Sequence, residues 1–190
     1  GEPMGINLES DELAFFALIY WPVTADQPTP SEDTITKLNR YLENGGPILF
    51  DTRDQQFTSG SAGDLTQALR RLTHGMNLPA LETVPPDHVL TKAFYLMQEF
   101  PGRWTGGRVW VERSDARTND GVSRVLAGGH DWAAAWAVDD NGRPMFPVVP
   151  GGERQREMAY RFGVNLVMYT LTGNYKSDQV HVPAILERLG

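Results

Sequence analysis

Apolar positions in this chain recur with two periods, and the clearest switch between them lies between Thr29 and Asp54. Ile35, Leu38 and Leu42 fall at helical spacing with Tyr41 beside them, while Lys37, Asn39, Arg40 and Glu43 make the polar face. Thr29-Pro30-Ser31-Glu32 predicts how the helix starts: Thr29 is the N-cap of a capping box, and Pro30 takes the first helical position, where its missing amide costs nothing. Gly45-Gly46 predicts the stop, because glycine readily takes the left-handed conformation that ends helices. Pro47 to Phe50 is apolar on both faces, as a central parallel strand is, and it runs directly into Asp51, Thr52, Arg53 and Asp54.

The same alternation extends along the chain. Leu13 to Trp21 predicts a strand buried on both sides and closed by Pro22. Gln55 to Gly63 predicts a surface loop of small residues. Asp64 to Gly75 predicts a second helix, with Leu65, Leu69 and Leu72 as its stripe and Asp64 as its N-cap. Asn77 to Pro86 reads as a connection holding one short edge strand, and periodicity leaves the segment from Asp87 to Arg103 open. Arg108 to Arg113 alternates as a strand does, Asn119-Asp120-Gly121 is a turn, and Val122 to Leu126 is another strand ending in Gly128-Gly129-His130-Asp131-Trp132. Asn141-Gly142 marks a further turn, although Pro144 and Pro147 argue against a regular hairpin. Glu153 to Thr172 is the longest helix; its second half, VNLVMYTL, is apolar all round and is predicted to enter the core, with Gly173 ending it and Pro183 to Leu189 forming a closing helix.

Composition narrows the function classes. A chain of 190 residues suits one domain, here 1–190, with a full core and no need of staples. It has no cysteine, which excludes disulfides, thiolate metal sites and a cysteine nucleophile together. A net charge of −7 argues against a nucleic-acid partner, which calls for a clustered basic surface. The longest apolar run, Leu13 to Val23, is far short of the roughly 20 residues that span a bilayer. No signal-peptide pattern opens the sequence, so any membrane attachment is expected outside these residues.

Candidate chemistry concentrates where open α/β sheets place it, beyond the carboxyl ends of strands. Asp51 and Arg53 follow one buried strand, and His130-Asp131 follow another. The functional reading makes His130 a base or ligand beside Asp51 and Asp131, with Trp132 and Trp136 as an apolar wall. The structural alternative has Asp51 capping the next turn, Arg53 paired with Asp54, Asp131 capping a turn and both tryptophans in the core. Gly151-Gly152-Glu153-Arg154 can hold an anion at a helix start, with Arg154, Arg156 and Arg103 adding charge, or can be an ordinary helix start with solvated arginines. Trp104 and Trp110, flanking Gly106-Gly107, suit stacking on a sugar or filling a core. His74, His88 and His181 have no metal-ligand spacing, and the GxSxG, GxxxxGK[ST] and GxGxxG motifs are absent, so neither metal nor cofactor is expected.

The stretches DELAFFALIYWPV, LNRYLENGGPILFDTRD, PPDHVLTKAFYLMQEFPGR, GGHDWAAAW and GGERQREMAYRFGVNLVMYTLTGNY together resemble DUF4159, a bacterial family of unknown function. The resemblance covers nearly the whole chain. It implies a class I glutamine amidotransferase-like fold, a flavodoxin-like three-layer αβα sandwich. It also implies the C-terminal domain of a membrane-anchored protein that begins with an aerotolerance-regulator-type anchor, with the domain outside the cytoplasmic membrane. Amidotransferases of this fold need a cysteine, and its absence here implies no glutaminase activity. Family members carry a further strand and helix upstream of the DELAFF-like stretch; their lack implies an exposed sheet edge and self-association through it. The expectation for function is therefore a non-catalytic ligand- or partner-binding domain of a bacterial cell-envelope protein. Its partners would be other domains of the same protein, envelope proteins, or a small anionic or carbohydrate ligand. The rival is a cysteine-independent hydrolase of a carbohydrate or small amide using Asp51, His130 and Asp131. A third reading is a purely structural assembly domain, marked by a sizeable apolar patch and no polar cleft.

Overall fold

A computed structural model describes residues 3–54, 62–115 and 122–189. The helix-to-strand switch read from the sequence forms as expected. Helix α1 spans Glu32–Glu43 and buries Leu38, Tyr41 and Leu42; strand β2, Ile48–Asp51, is buried at all four positions. Between them Gly45 takes a φ of 85°, and a side chain on Gly46 would clash with the Tyr41 ring.

Strand β1 (Ile19–Pro22) pairs in parallel with β2, which pairs in parallel with β5 (Val125–Gly128). Strands β4 (Trp110–Glu112) and β3 (Leu81–Thr83) continue the sheet antiparallel, giving the order β1-β2-β5-β4-β3. Side chains alternate across this sheet and so build two cores. Ile19, Trp21, Ile48, Phe50 and Val125 pack with Leu38, Tyr41, Leu42 and Leu72, under α1 and helix α2 (Ala62–Leu72). Leu49, Val111 and Leu126 face the other way, against Trp132 of the short helix α3 (Trp132–Trp136) and Phe162, Leu166 and Tyr169 of helix α4 (Glu153–Leu189). The result is an α/β sandwich with helices on both faces of a mixed five-stranded sheet. Buried Asn165 ties α4 to the 90–95 segment: its side-chain oxygen accepts from Phe94 N (3.2 Å) and Tyr95 N (2.8 Å), and its amide donates to the carbonyls of Leu90 and Tyr95 (both 2.9 Å).

Several boundaries differ from the sequence reading, each for a physical reason. The N-cap of α1 is Ser31 rather than Thr29: its hydroxyl accepts from Thr34 N at 3.2 Å and donates to Glu9 at 2.6 Å, while Thr29 accepts from Arg71 instead. Only the last residues of the Leu13–Trp21 run are strand, because β2 offers four partner positions; Leu13–Phe15 is a 3₁₀ turn and Phe15 is 86% exposed. Helix α2 starts at Ala62, so Asp64 lies inside it rather than capping it. The loop predicted from Gln55 is outside the described residues up to 61, as is the turn predicted at Asn119–Gly121.

Helix α4 is continuous past Gly173 and Pro183. Its apolar second half does not dive into the core as predicted. It lies across one face of the sheet, burying Leu166 and Tyr169 and leaving Val164, Val167, Met168 and Leu171 between 37% and 49% exposed. A helix with a layer on one side only buries only that side. Among the described residues no helix is long and apolar enough to cross a membrane.

At the β1 edge, Ile19 N and Val23 N donate inward to Pro47 and Asp51, which turns the backbone of Tyr20 and Pro22 outward. Proline has no amide to offer, so this edge presents few donors to another strand.

Candidate functional site

Asp51 ends β2 at the carboxyl rim and is completely buried. Its carboxylate accepts from Trp132 N (3.0 Å), Asp131 N (3.2 Å), Arg53 N (3.0 Å) and the Tyr20 hydroxyl. Tyr20 in turn accepts from Ala133 N at 3.1 Å. Asp51 thus serves the first amides of α3 directly and one more through Tyr20, where helices leave donors without intrahelical partners. Burial pushes the Asp51 carboxyl above its usual range, and these hydrogen bonds pull it back. Burial and then the Asp51 charge push the Tyr20 hydroxyl up, so it stays a donor.

His130 lies two residues beyond the end of β5 at the same rim but makes different contacts. It is 1% exposed, stacks on Trp132 with ring centroids 4.6 Å apart, and keeps a buried Nδ1 with no hydrogen-bond partner. Burial lowers its pKa to about 4, against a backbone hydrogen bond with Gly107 and the charge of Asp54, which favour the protonated ring. No described hydrogen bond joins the His130 ring to Asp51 or Asp131. His130 lines a cavity of about 240 Å³ together with Thr83, Glu99, Phe100, Thr105 and Arg108, among others. This cavity sits where β3 ends, β4 begins and β5 ends.

A family model for DUF4159, a domain of unknown function, matches residues 1–171. The chain belongs to the DUF4159 family. No curated protein matches it.

In this DUF4159 domain the remaining candidates are dispersed around the rim. Asp131 takes a left-handed backbone (φ 54°), and its side chain lies 3.9 Å from Arg103 without capping α3. Arg53, also left-handed (φ 57°), donates to the Val23 carbonyl at 3.2 Å and does not pair with Asp54, whose carboxylate accepts from Thr52. Trp132 is no apolar ligand wall: it is fully buried, and its indole donates to the Phe100 carbonyl at 3.0 Å. Trp136 is partly buried and donates to the Ala159 carbonyl.

Two of the three arginines weighed for an anion site at the start of α4 have partners within the protein, both at Phe146. Arg156 donates to the carbonyls of Ala135 and Phe146, and Arg103 lies over the Trp104 and Phe146 rings, while Arg154 stays exposed. Gln155 ties down the approach to the helix instead, accepting from Gly151 N and donating to the carbonyls of Gly102, Arg103 and Val149. Among the described residues no three His, Asp or Glu side chains form a metal-binding group.

Sequence reasoning missed Tyr20, Asp54, Glu99 and Arg108. Tyr20 is hidden inside an apolar run. Arg108 reaches the rim because β4 runs antiparallel to β5, which brings the residues just before β4 to the end where the parallel strands finish; Glu99 lies in the irregular segment before it.

Proposed function

We propose that this domain binds a small polar ligand, without turning it over, in the cavity that His130 lines. The observation that carries the reading is His130 itself, a buried imidazole with an unpartnered Nδ1, which is among the residues that line a cavity at the rim. Buried polar atoms are ordinarily paired, and an exception beside a cavity fits a site completed by a ligand. The non-catalytic half rests on Asp51, whose carboxylate is already committed to four donors. The rival hydrolase needs Asp51, His130 and Asp131 to share a proton path, and no described hydrogen bond joins the His130 ring to either carboxylate.

The amidotransferase-like scaffold belongs to the same reading, supported by parallel strands β1, β2 and β5 with helices on both faces. So does a place in a bacterial cell-envelope protein, which the resemblance in sequence supports. Protease accessibility in intact and permeabilised cells tests that placement.

Calorimetric titration and thermal-shift measurement with small amino acids, monosaccharides and carboxylates test the ligand site. At least one class raises the melting temperature, as a ligand that binds only the folded state must, and nuclear magnetic resonance shows it unchanged after incubation. Chemical conversion of the ligand would overturn the non-catalytic reading; silence across all three classes at millimolar concentration would overturn the site.

A further inference from the structure

We propose that the His130 cavity takes a zwitterion, an α-amino acid with a short apolar side chain, held between Glu99 and Arg108. This rests on the ligand-binding reading above and names the ligand's class. Glu99 and Arg108 are the two charged side chains of the cavity lining. Neither has a hydrogen bond or ion pair among the described residues, so they are not within 4.0 Å of each other. Both side chains are exposed and so remain open to a ligand's charges, while the backbone beside each is fixed: next to Glu99, the Phe100 carbonyl is held by the Trp132 indole at 3.0 Å, and next to Arg108, the Val109 carbonyl is held by Val84 N at 2.9 Å.

The rest of the lining selects among ligands. Val84, Phe100, Pro101 and Val109 give apolar wall, while Thr83, Gln98 and Thr105 add uncharged polar groups. One acid and one base, with His130 neutral, leave the site without net charge. That suits a ligand carrying both an ammonium and a carboxylate, and disfavours an ion of either sign. About 240 Å³ is below the range of roughly 300–1,000 Å³ that holds drug-sized molecules, so the ligand is small. A sugar lacks its usual platform: Trp104 and Trp110 do not line the cavity, and the Phe100 ring is buried.

Calorimetry on the whole chain with L-alanine, L-valine and L-leucine tests this, against isovalerate for the carboxylate alone, isobutylamine for the ammonium alone, and glucose. The expected result is binding of at least one amino acid, with isovalerate and isobutylamine each about tenfold or more weaker, the size of one lost charge-assisted hydrogen bond. Glu99→Gln and Arg108→Gln, both exposed positions, keep the far-ultraviolet spectrum and weaken amino-acid binding by the same factor. Isovalerate binding as tightly as valine, or glucose binding that neither variant alters, overturns the zwitterion and leaves the cavity a ligand site. No binding by any probe overturns both.

Discussion

The Asp51 carboxylate and the Trp132 amide, 81 residues apart in sequence, meet at 3.0 Å. This contact fastens the carboxyl end of a central parallel strand to the first turn of a five-residue helix. So short a helix is marginal alone and takes its stability from what surrounds it. Asp51 gives α3 an anchor at its positive end, and Trp132, locked by that anchor, closes one core and stacks on His130. The rim residue that most resembled a catalytic acid is thus the residue that builds the rim.

Asp51→Asn tests this role. The substitution keeps shape but turns an acceptor-only group into one that presents an NH₂ toward backbone donors. Loss of about 2–3 kcal/mol of unfolding free energy is expected, since buried donors are left unmatched. Tyr20→Phe should cost about 1–2 kcal/mol through the lost link to Ala133 N. Urea denaturation measures both. A wild-type midpoint for Asp51→Asn would remove the anchoring account.

His130 predicts the acid limb of stability. The unfolded chain takes up a proton near pH 6.5, which the folded chain refuses until about pH 4. The unfolded state therefore binds more protons across that window, and stability falls as pH drops from 6.5 towards 4. The full effect is on the order of 3 kcal/mol. Asp51, with its carboxyl shifted up by burial, works in the opposite direction, so the comparison must isolate His130. His130→Gln, which cannot titrate, should flatten the slope in this window; equal slopes for the two proteins would show that His130 protonates freely in the folded state.

The α1–β2 unit was legible because its period changes from helical to doubly apolar within a few residues. Leu38 and Leu42 are buried, and so is all of β2. The run from Leu13 to Trp21 was not, since an apolar run does not reveal how many partner residues the neighbouring strand offers. The rim itself followed from strand ends, but its wiring did not. Asp51 looks the same in sequence whether it faces a ligand or helix amides 80 residues away. Nor does the sequence show that His130 meets Gly107 and Arg108 at the start of an antiparallel strand.

Gly128→Ala probes the packing behind His130. A Cβ at this position would overlap the Trp132 ring and stand 3.1 Å from His130 Nδ1. Overpacking of this kind costs about 1–3 kcal/mol, and here it displaces the Trp132 ring on which His130, a lining residue of the cavity, is stacked. The expected result is a lower melting temperature together with weaker ligand binding. Full stability with normal binding would mean that the Trp132–His130 stack is loose.

Asn165→Ala removes the four hydrogen bonds that fix the 90–95 segment to α4. Both backbone amides and both carbonyls would lose a buried partner, at about 2–4 kcal/mol in sum. Hydrogen exchange at Tyr95, whose amide makes the shorter bond to the side chain (2.8 Å), should quicken more than exchange in β2. Uniform acceleration would indicate global destabilisation rather than release of the segment.

Neighbouring positions on α4 separate its two faces. Leu166 is 1% exposed and packs with Trp132, Phe162 and Tyr169, whereas Val167 is 49% exposed. Leu166→Ala should cost about 2–5 kcal/mol, the range for deleting a buried leucine side chain. Val167→Lys should change stability by no more than about 0.5 kcal/mol, because no described contact demands an apolar group there. The helix backbone accepts lysine readily, and its charged end would reach water along the exposed face. The pair is decisive in either direction. A costly Val167→Lys with a mild Leu166→Ala would mean that α4 is rotated on the sheet and that its apolar half is buried as the sequence pattern suggested. The opposite result fixes Val164, Val167, Met168 and Leu171 as surface of the isolated chain.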